Sequence, residues 1–376
     1  MRRVSQDAAN GLRRVLGRLR PSRVPGVEMS EELGGQAILG VDTSTAAFVG
    51  APAKGSSPEP VELRSFEDYA RAFGSTDGEL GRAVRLFFEN GGSRAFAVRA
   101  QDELLDGLQA LEQVPFSLLT FPDLGGLDMD EATTVAVAAA EACERARAFL
   151  LLDAPASLTP AGAEEWTHEL GGARNAAVYV PRLRLADGSE TAASGAVAGV
   201  VARTDRERGV WKAPAGAGAG VRGVVGVTSA LSEEAVDRLA AAGVNVVRRL
   251  ATGLVVWGAR TLAVEEPDWK YVNVRRLALF LERSIDEGTQ WAVFEPNGER
   301  LWSEVRRRVE AFMLTLFRQG AFEGTRSEDA YFVRCDRTTM TQDDIDNGRL
   351  VILVGFAPVR PAEFIVFRIN WAASTP

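Results

Sequence analysis

Short apolar runs recur along the first part of this chain, and a segment of helical length separates most of them. The runs are Ala37–Gly50 (AILGVDTSTAAFVG, a strand, a Ser/Thr turn and a second strand), Arg94–Arg99, Phe116–Phe121, Ala148–Leu152 and Ala176–Val180. Helices are expected at Ser65–Phe73, Leu80–Asn90, Glu131–Phe149, near Ala163–Leu170 and near Ala192–Ala202. Strands alternating with helices of this length imply an α/β layer with a largely parallel sheet. Local signals mark several boundaries. Ser65 with Asp68 three residues on is a capping-box pattern. Ser232 caps a helix with Glu233 and Glu234 in its first turn. Val244–Leu250 and Gly253–Trp257 read as a strand pair, and the Gly/Ala-rich stretch Trp211–Gly220 reads as a flexible linker.

From Trp269 the pattern changes to a compact run of helices and strands. Glu299–Arg318 is a long helix that places Leu301, Trp302, Val305, Val309, Phe312, Met313, Leu316 and Phe317 on one arc. Arg306 and Arg308 flank that arc, and Arg307 lies on the far side. Thr341–Gly348 (TQDDIDNG) is rich in acids but lacks calcium-loop spacing. Thr341 as N-cap, Asp344 at N3 and Gly348 as stop explain it as a short capped helix. Pro358 and Pro361 set a turn before the last strand. A strand at that position can pair inside its own domain or complete the sheet of another subunit. In the second case main-chain hydrogen bonds supply affinity and alternate side chains supply register.

Composition narrows the function classes. The 376 residues suffice for two or three domains, and no apolar run approaches the ~20 residues of a membrane span. The net charge of −8 disfavours bulk nucleic-acid binding. Residues 1–24 hold seven Arg and one Asp, a balance of +6, so the remainder carries −14. Val4, Ala8, Leu12, Val15, Leu16 and Leu19 fall within about 120° of helical arc. This basic amphipathic segment reads as a leader that orders only against an acidic neighbour, or as a membrane-surface or targeting helix. Cys143 and Cys335 lack metal spacing and suit a reducing compartment as buried small hydrophobes. His168 is the single histidine, and no GxxxxGK[ST] loop is present. No cofactor or metal site is expected.

Several long strings resemble the contractile-tail sheath family, which covers phage tail sheaths, R-type pyocin sheaths and related contractile injection systems. They are Pro25–Val27 (PGV), VDTSTAAFVG from Val41, Ser194–Pro214 (SGAVAGVVARTDRERGVWKAP), Trp257–Leu262 (WGARTL), Tyr271–Leu277 (YVNVRRL), Ser284–Pro296 (SIDEGTQWAVFEP), Cys335–Leu350 and Phe356–Ile369. The family commonly shows SGHVAG and ARTDxxRGVWKAPA in the middle string. The resemblance covers roughly residues 25–370. The basic segment before PGV is unusual, and large outer insertions are absent.

The resemblance implies a structural subunit, not an enzyme. Six copies per ring would stack helically around an inner tube, with baseplate and terminator proteins at the ends, and would contract to drive the tube through an envelope. No nucleic acid would be bound directly. Assembly would occur in the bacterial cytoplasm. A leader at 1–24 and an arm at 25–36 would precede an α/β middle domain at 37–262 that faces outward and could contribute strands to the inner domain. An α+β inner domain at 263–361 and a donor strand with tail at 362–376 would follow. The exchanged arms map to Val24, Gly26, Val27 and Met29, and to Glu363, Phe364, Ile365, Val366, Phe367 and Ile369. Arg306, Arg307 and Arg308 are candidates for contact with an acidic tube. The rival reading is a sheath-like terminator or baseplate protein that caps without polymerising. The family's middle domain is similar to subtilisin in fold, and Asp153, His168 and Ser229 follow the Asp–His–Ser order. His168 and Ser229 lack the sequence contexts of a triad, so a hydrolase stands as a distant third.

Overall fold

The computed structural model describes residues 37–52, 54–55, 59–74, 77–100 and 103–359, and the backbone of 365–372. Val24, Gly26, Val27, Met29, Glu363 and Phe364 lie outside the described residues. The expected layer is present as a mixed, mainly parallel sheet of eight strands. Its strands are β1 (Ala46–Gly50), β2 (Val61–Leu63), β3 (Ala95–Arg99), β4 (Leu118–Thr120), β5 (Phe149–Asp153), β6 (Ala176–Val180), β10 (Val244–Leu250) and β11 (Gly253–Trp257). They lie in the order β11-β10-β6-β5-β4-β1-β3-β2. β1, β3, β4, β5, β6 and β10 run parallel, and β2 and β11 close the edges antiparallel. Phe48 faces Ala97 in register, and Ala47 faces Leu119.

Helices cover both faces, so every residue of β1 is buried and its side chains alternate between two cores. On one face Ala46 and Phe48 pack with α2 (Glu79–Glu89) and α6 (Ser194–Arg208). On the other, Ala47 and Val49 pack with α3 (Leu104–Ala110), α4 (Met129–Ala146), α5 (Pro160–Glu169) and α7 (Glu233–Ala241). α1 (Phe66–Phe73) precedes α2 and has the capping box read from Ser65 and Asp68. Small strands β7 (Leu183–Arg184), β8 (Glu190–Thr191) and β9 (Gly226–Val227) form a separate sheet that the sequence did not announce.

The SGAVAG string has a packing reason. A Cβ on Gly195 would lie 2.5 Å from the Ala83 carbonyl oxygen, and one on Gly199 2.4 Å from that of Phe87. These glycines, four apart on α6, let it approach the α2 backbone. The following string closes the helix. Arg203 donates to the Asn90 and Gly220 carbonyls, and Gly209 ends the helix at φ 86°.

The last part begins with α8 (Val272–Thr289) and α9 (Glu299–Arg318). Three strands follow, β12 (Tyr331–Arg334), β13 (Arg349–Phe356) and β14 (Ile365–Ala372). They form one sheet in the order β12-β13-β14, flanked by the short helices α10 (Ser327–Ala330) and α11 (Gln342–Asp346). α9 buries all of the expected arc except Phe317, which is half-buried. Thr341 and Asp344 form the expected capping box, and Gly348 follows at φ 66°.

Two expectations are corrected. Residues 37–45 are not a strand: Ala46–Gly50 alone joins the sheet. The Gly/Ala-rich stretch is no free linker. The Gly216 N–H donates to the Val256 carbonyl, the Val256 N–H to Ala219 and the Val221 N–H to Leu254, so it covers the edge of β11.

Candidate functional site

β14 lies antiparallel on β13 across eight registered pairs, from Phe356↔Ile365 to Arg349↔Ala372. Ile365, Val366, Phe367 and Ile369 therefore sit on a strand, as read, and the strand extends two residues past Asn370. In the strand order β14 occupies an edge, so one side of its backbone has no strand partner among the described residues. The sheet rests on α9 through Val351, Ile352, Val354 and Phe356, which share one core with Val305, Val309 and Met313.

The arginines of α9 have separate environments. Arg308 stacks 3.9 Å over the Trp291 ring and donates to Glu304 at 2.6 Å, so only 10% of its side chain is exposed. Arg307 also pairs with Glu304 but is 71% exposed. Arg306 is 40% exposed, 3.9 Å from Glu310. Burial pushes the Glu304 carboxyl up, but hydrogen bonds from Arg308 and Arg307 outweigh it and hold the group below its ordinary value.

Sequence reading missed the seam where α8 meets the start of the parallel strands. Arg275 donates to the Asn175 side chain at 2.5 Å, just before β6. Arg283 donates to the Phe116 carbonyl and to Ser117, just before β4. Arg147, before β5, donates back to Asp286 at 2.5 Å. Arg276 forms a two-pronged pair with Asp205 of α6, at 3.0 and 2.6 Å, and also holds the Thr43 carbonyl at 2.9 Å. Their side chains are 3% and 5% exposed. Burial lowers the Arg275 pKa and raises that of Glu282, its partner at 3.4 Å. The available signal was an RR pair within the apolar first turns of the helix, VNVRRLALFL.

At the opposite ends of the strands, the crevice between β1 and β4 is where the strand order reverses, the usual ligand position in open α/β sheets. Here Glu79 accepts from Arg82, Arg182, Thr191 and the Ala192 N–H. Asp153 accepts from the Ala193 and Ser194 N–H groups at the start of α6, at 2.6 and 3.1 Å. Burial nonetheless pushes its carboxyl up to about 6. His168 and Ser229 are both exposed, and among the described residues no hydrogen bond joins either to Asp153. Cys143 and Cys335 are buried free thiols. Among the described residues no cluster of His, Cys, Asp or Glu could hold a metal, and no helix is long and apolar enough to cross a membrane.

This layout agrees with known proteins. Residues 97–262 match the phage tail sheath protein central domain, and residues 264–372 match the phage tail sheath C-terminal domain. The helical sheath of the anti-feeding prophage in its contracted state is 33% identical, with a TM-score of 0.75 over 93% of this chain and 99% of that one. A chain from the anti-feeding prophage baseplate is 34% identical, with a TM-score of 0.73 over 93% of this chain and 99% of that one. The tail sheath protein of Vibrio phage KVP40 is 28% identical over 184 residues, 48% of this chain but only 26% of the phage protein's length. With matches to both sheath domains and to whole solved chains, this protein belongs to the contractile tail sheath family of phage tails and tail-like injection particles.

Proposed function

We propose that this chain is a structural subunit that polymerises as stacked six-membered rings around an inner tube. Contraction of that polymer drives the tube through a target envelope. The observation that carries the reading is β14. Its ladder to β13 is complete, and it follows a Pro-bearing connection. The same eight registered pairs form equally well on a neighbour's β13, so exchange costs little in bonding and links subunits through backbone. The segment containing Val24, Gly26, Val27 and Met29 is the second exchanged arm. Arg307, with Arg306 beside it, is the exposed charge available to an acidic tube, whereas Arg308 is held by Trp291 and Glu304. Assembly takes place in the bacterial cytoplasm with tube, baseplate and terminator proteins as partners.

Deletion of residues 362–376 tests the reading. The truncated chain is expected to fold but to yield no tubes in negative-stain electron microscopy, where the full chain yields hollow striated ones. Full-length tubes from the truncated chain would refute strand exchange. The similarity to a chain of a baseplate structure favours one alternative, a capping subunit. Single rings from the full chain, with or without tube protein, would select it.

A further inference from the structure

Residues 38–43 enter β1 along a fixed path on α8. The Ile38 side chain is buried in the C-terminal core, and a Cβ on Gly288 would lie 2.7–3.0 Å from it. Gly40 lies against the Phe280 ring, where a Cβ would come within 2.7 Å. The Val41 N–H donates to Ser284 Oγ at 3.1 Å. The Thr43 carbonyl accepts from Arg276, and its hydroxyl donates to Asp205 at 2.6 Å. Positions 276, 280, 284 and 288 are four apart and form one ridge of the helix. The segment runs antiparallel to that ridge. The segment is plugged at one end by Ile38 and clamped at the other by the Arg276–Asp205 pair.

We propose that this strap is the mechanical anchor of the N-terminal arm. The inference rests on the sheath reading, in which a neighbouring subunit pulls on the chain preceding Ile38. Tension then ends on α8 and, through Asp205, on α6, before it reaches β1. The anchor lets rings rotate without peeling β1 from the interior of its sheet. Its residues act by positioning the arm.

The test is the full chain carrying Ile38→Cys and Gly288→Cys. The Ile38 Cβ lies 3.0 Å from the position a Cβ on Gly288 would take, about half an ångström below the disulfide range. Both native cysteines are buried. After oxidation with glutathione disulfide, the cross-linked chain is expected to form tubes within about two-fold of the reduced yield. A roughly ten-fold loss confined to the oxidised sample would show that the strap must leave α8, which overturns the anchor and leaves the sheath reading intact. Gly288→Leu, which evicts Ile38, should lower tube yield at least about ten-fold with unchanged circular dichroism. Full yield from that variant would make the strap dispensable and also overturn the inference. Failure of the wild-type chain to form tubes with its tube protein would instead remove the sheath reading on which it rests.

Discussion

The two main sheets treat their edges differently. The eight-stranded sheet ends on one side in β2, a three-residue strand whose Glu62 binds Arg94 and Arg64 at 2.9 and 2.8 Å. On the other side the Gly216–Val221 loop takes up the free backbone of β11. Short length, charge and a covering loop are the standard protections against edge-to-edge pairing. The three-stranded sheet ends instead in β14, eight residues long, with no covering segment among the described residues. One sheet is finished within the chain, whereas the other presents a long edge strand. The buried polar seam of α8 ties the C-terminal core to the starts of the parallel strands.

Breaking that seam should have the largest effect. Asp205→Ala leaves the Arg276 guanidinium buried and unpaired, an expected loss of about 3–5 kcal/mol in urea unfolding. A loss under about 1 kcal/mol would mean that the layers hold together without it. The closed layer can be tested alone through Gly199→Val, whose side chain must push against the Phe87 carbonyl. A cost of about 3 kcal/mol is expected, the upper end for overpacking. Near-neutral behaviour would show that α2 and α6 can separate.

The third test depends on pH. The Asp153 carboxyl is raised from 3.8 to about 6, so the native chain keeps its proton where the unfolded chain has lost it. The resulting stabilisation is complete below about pH 4 and is lost as pH rises through about 6. A difference of that size corresponds to about 3 kcal/mol. The stability gap between wild type and Asp153→Asn should change by about that amount across the window; a constant gap would contradict the assignment. The smallest effect belongs to the open layer. Thr341→Ala removes the cap of α11 and should cost about 1 kcal/mol by thermal unfolding, with β13 otherwise intact. A larger loss would tie that short helix to the sheet.

Much of this was legible because it is local. The bounds of α9, the strand pair Val244–Leu250 and Gly253–Trp257, and the caps at Ser65, Ser232 and Thr341 follow from periodicity and side-chain chemistry within a few residues. The misreadings were equally instructive. AILGV has strand-like residues, yet its Val41 N–H goes to Ser284, 243 positions away. The Gly/Ala-rich stretch carries no side-chain signal, so only the exposed edge of β11 explains why it is held.

The sequence by itself determined the alternation of strand and helix, the parallel sheet that alternation imposes, and the helix face that Trp302 and Phe312 bury. These depend on backbone geometry and short-range hydrogen bonding, which a few neighbouring residues set. Only the tertiary structure decided that Arg276 meets Asp205, that Arg308 lies on Trp291 while Arg307 faces water, and which strand edges are covered. Charge pairing and edge coverage are relations between distant segments. Their free energy comes from desolvation and from partners that exist only once the chain has folded.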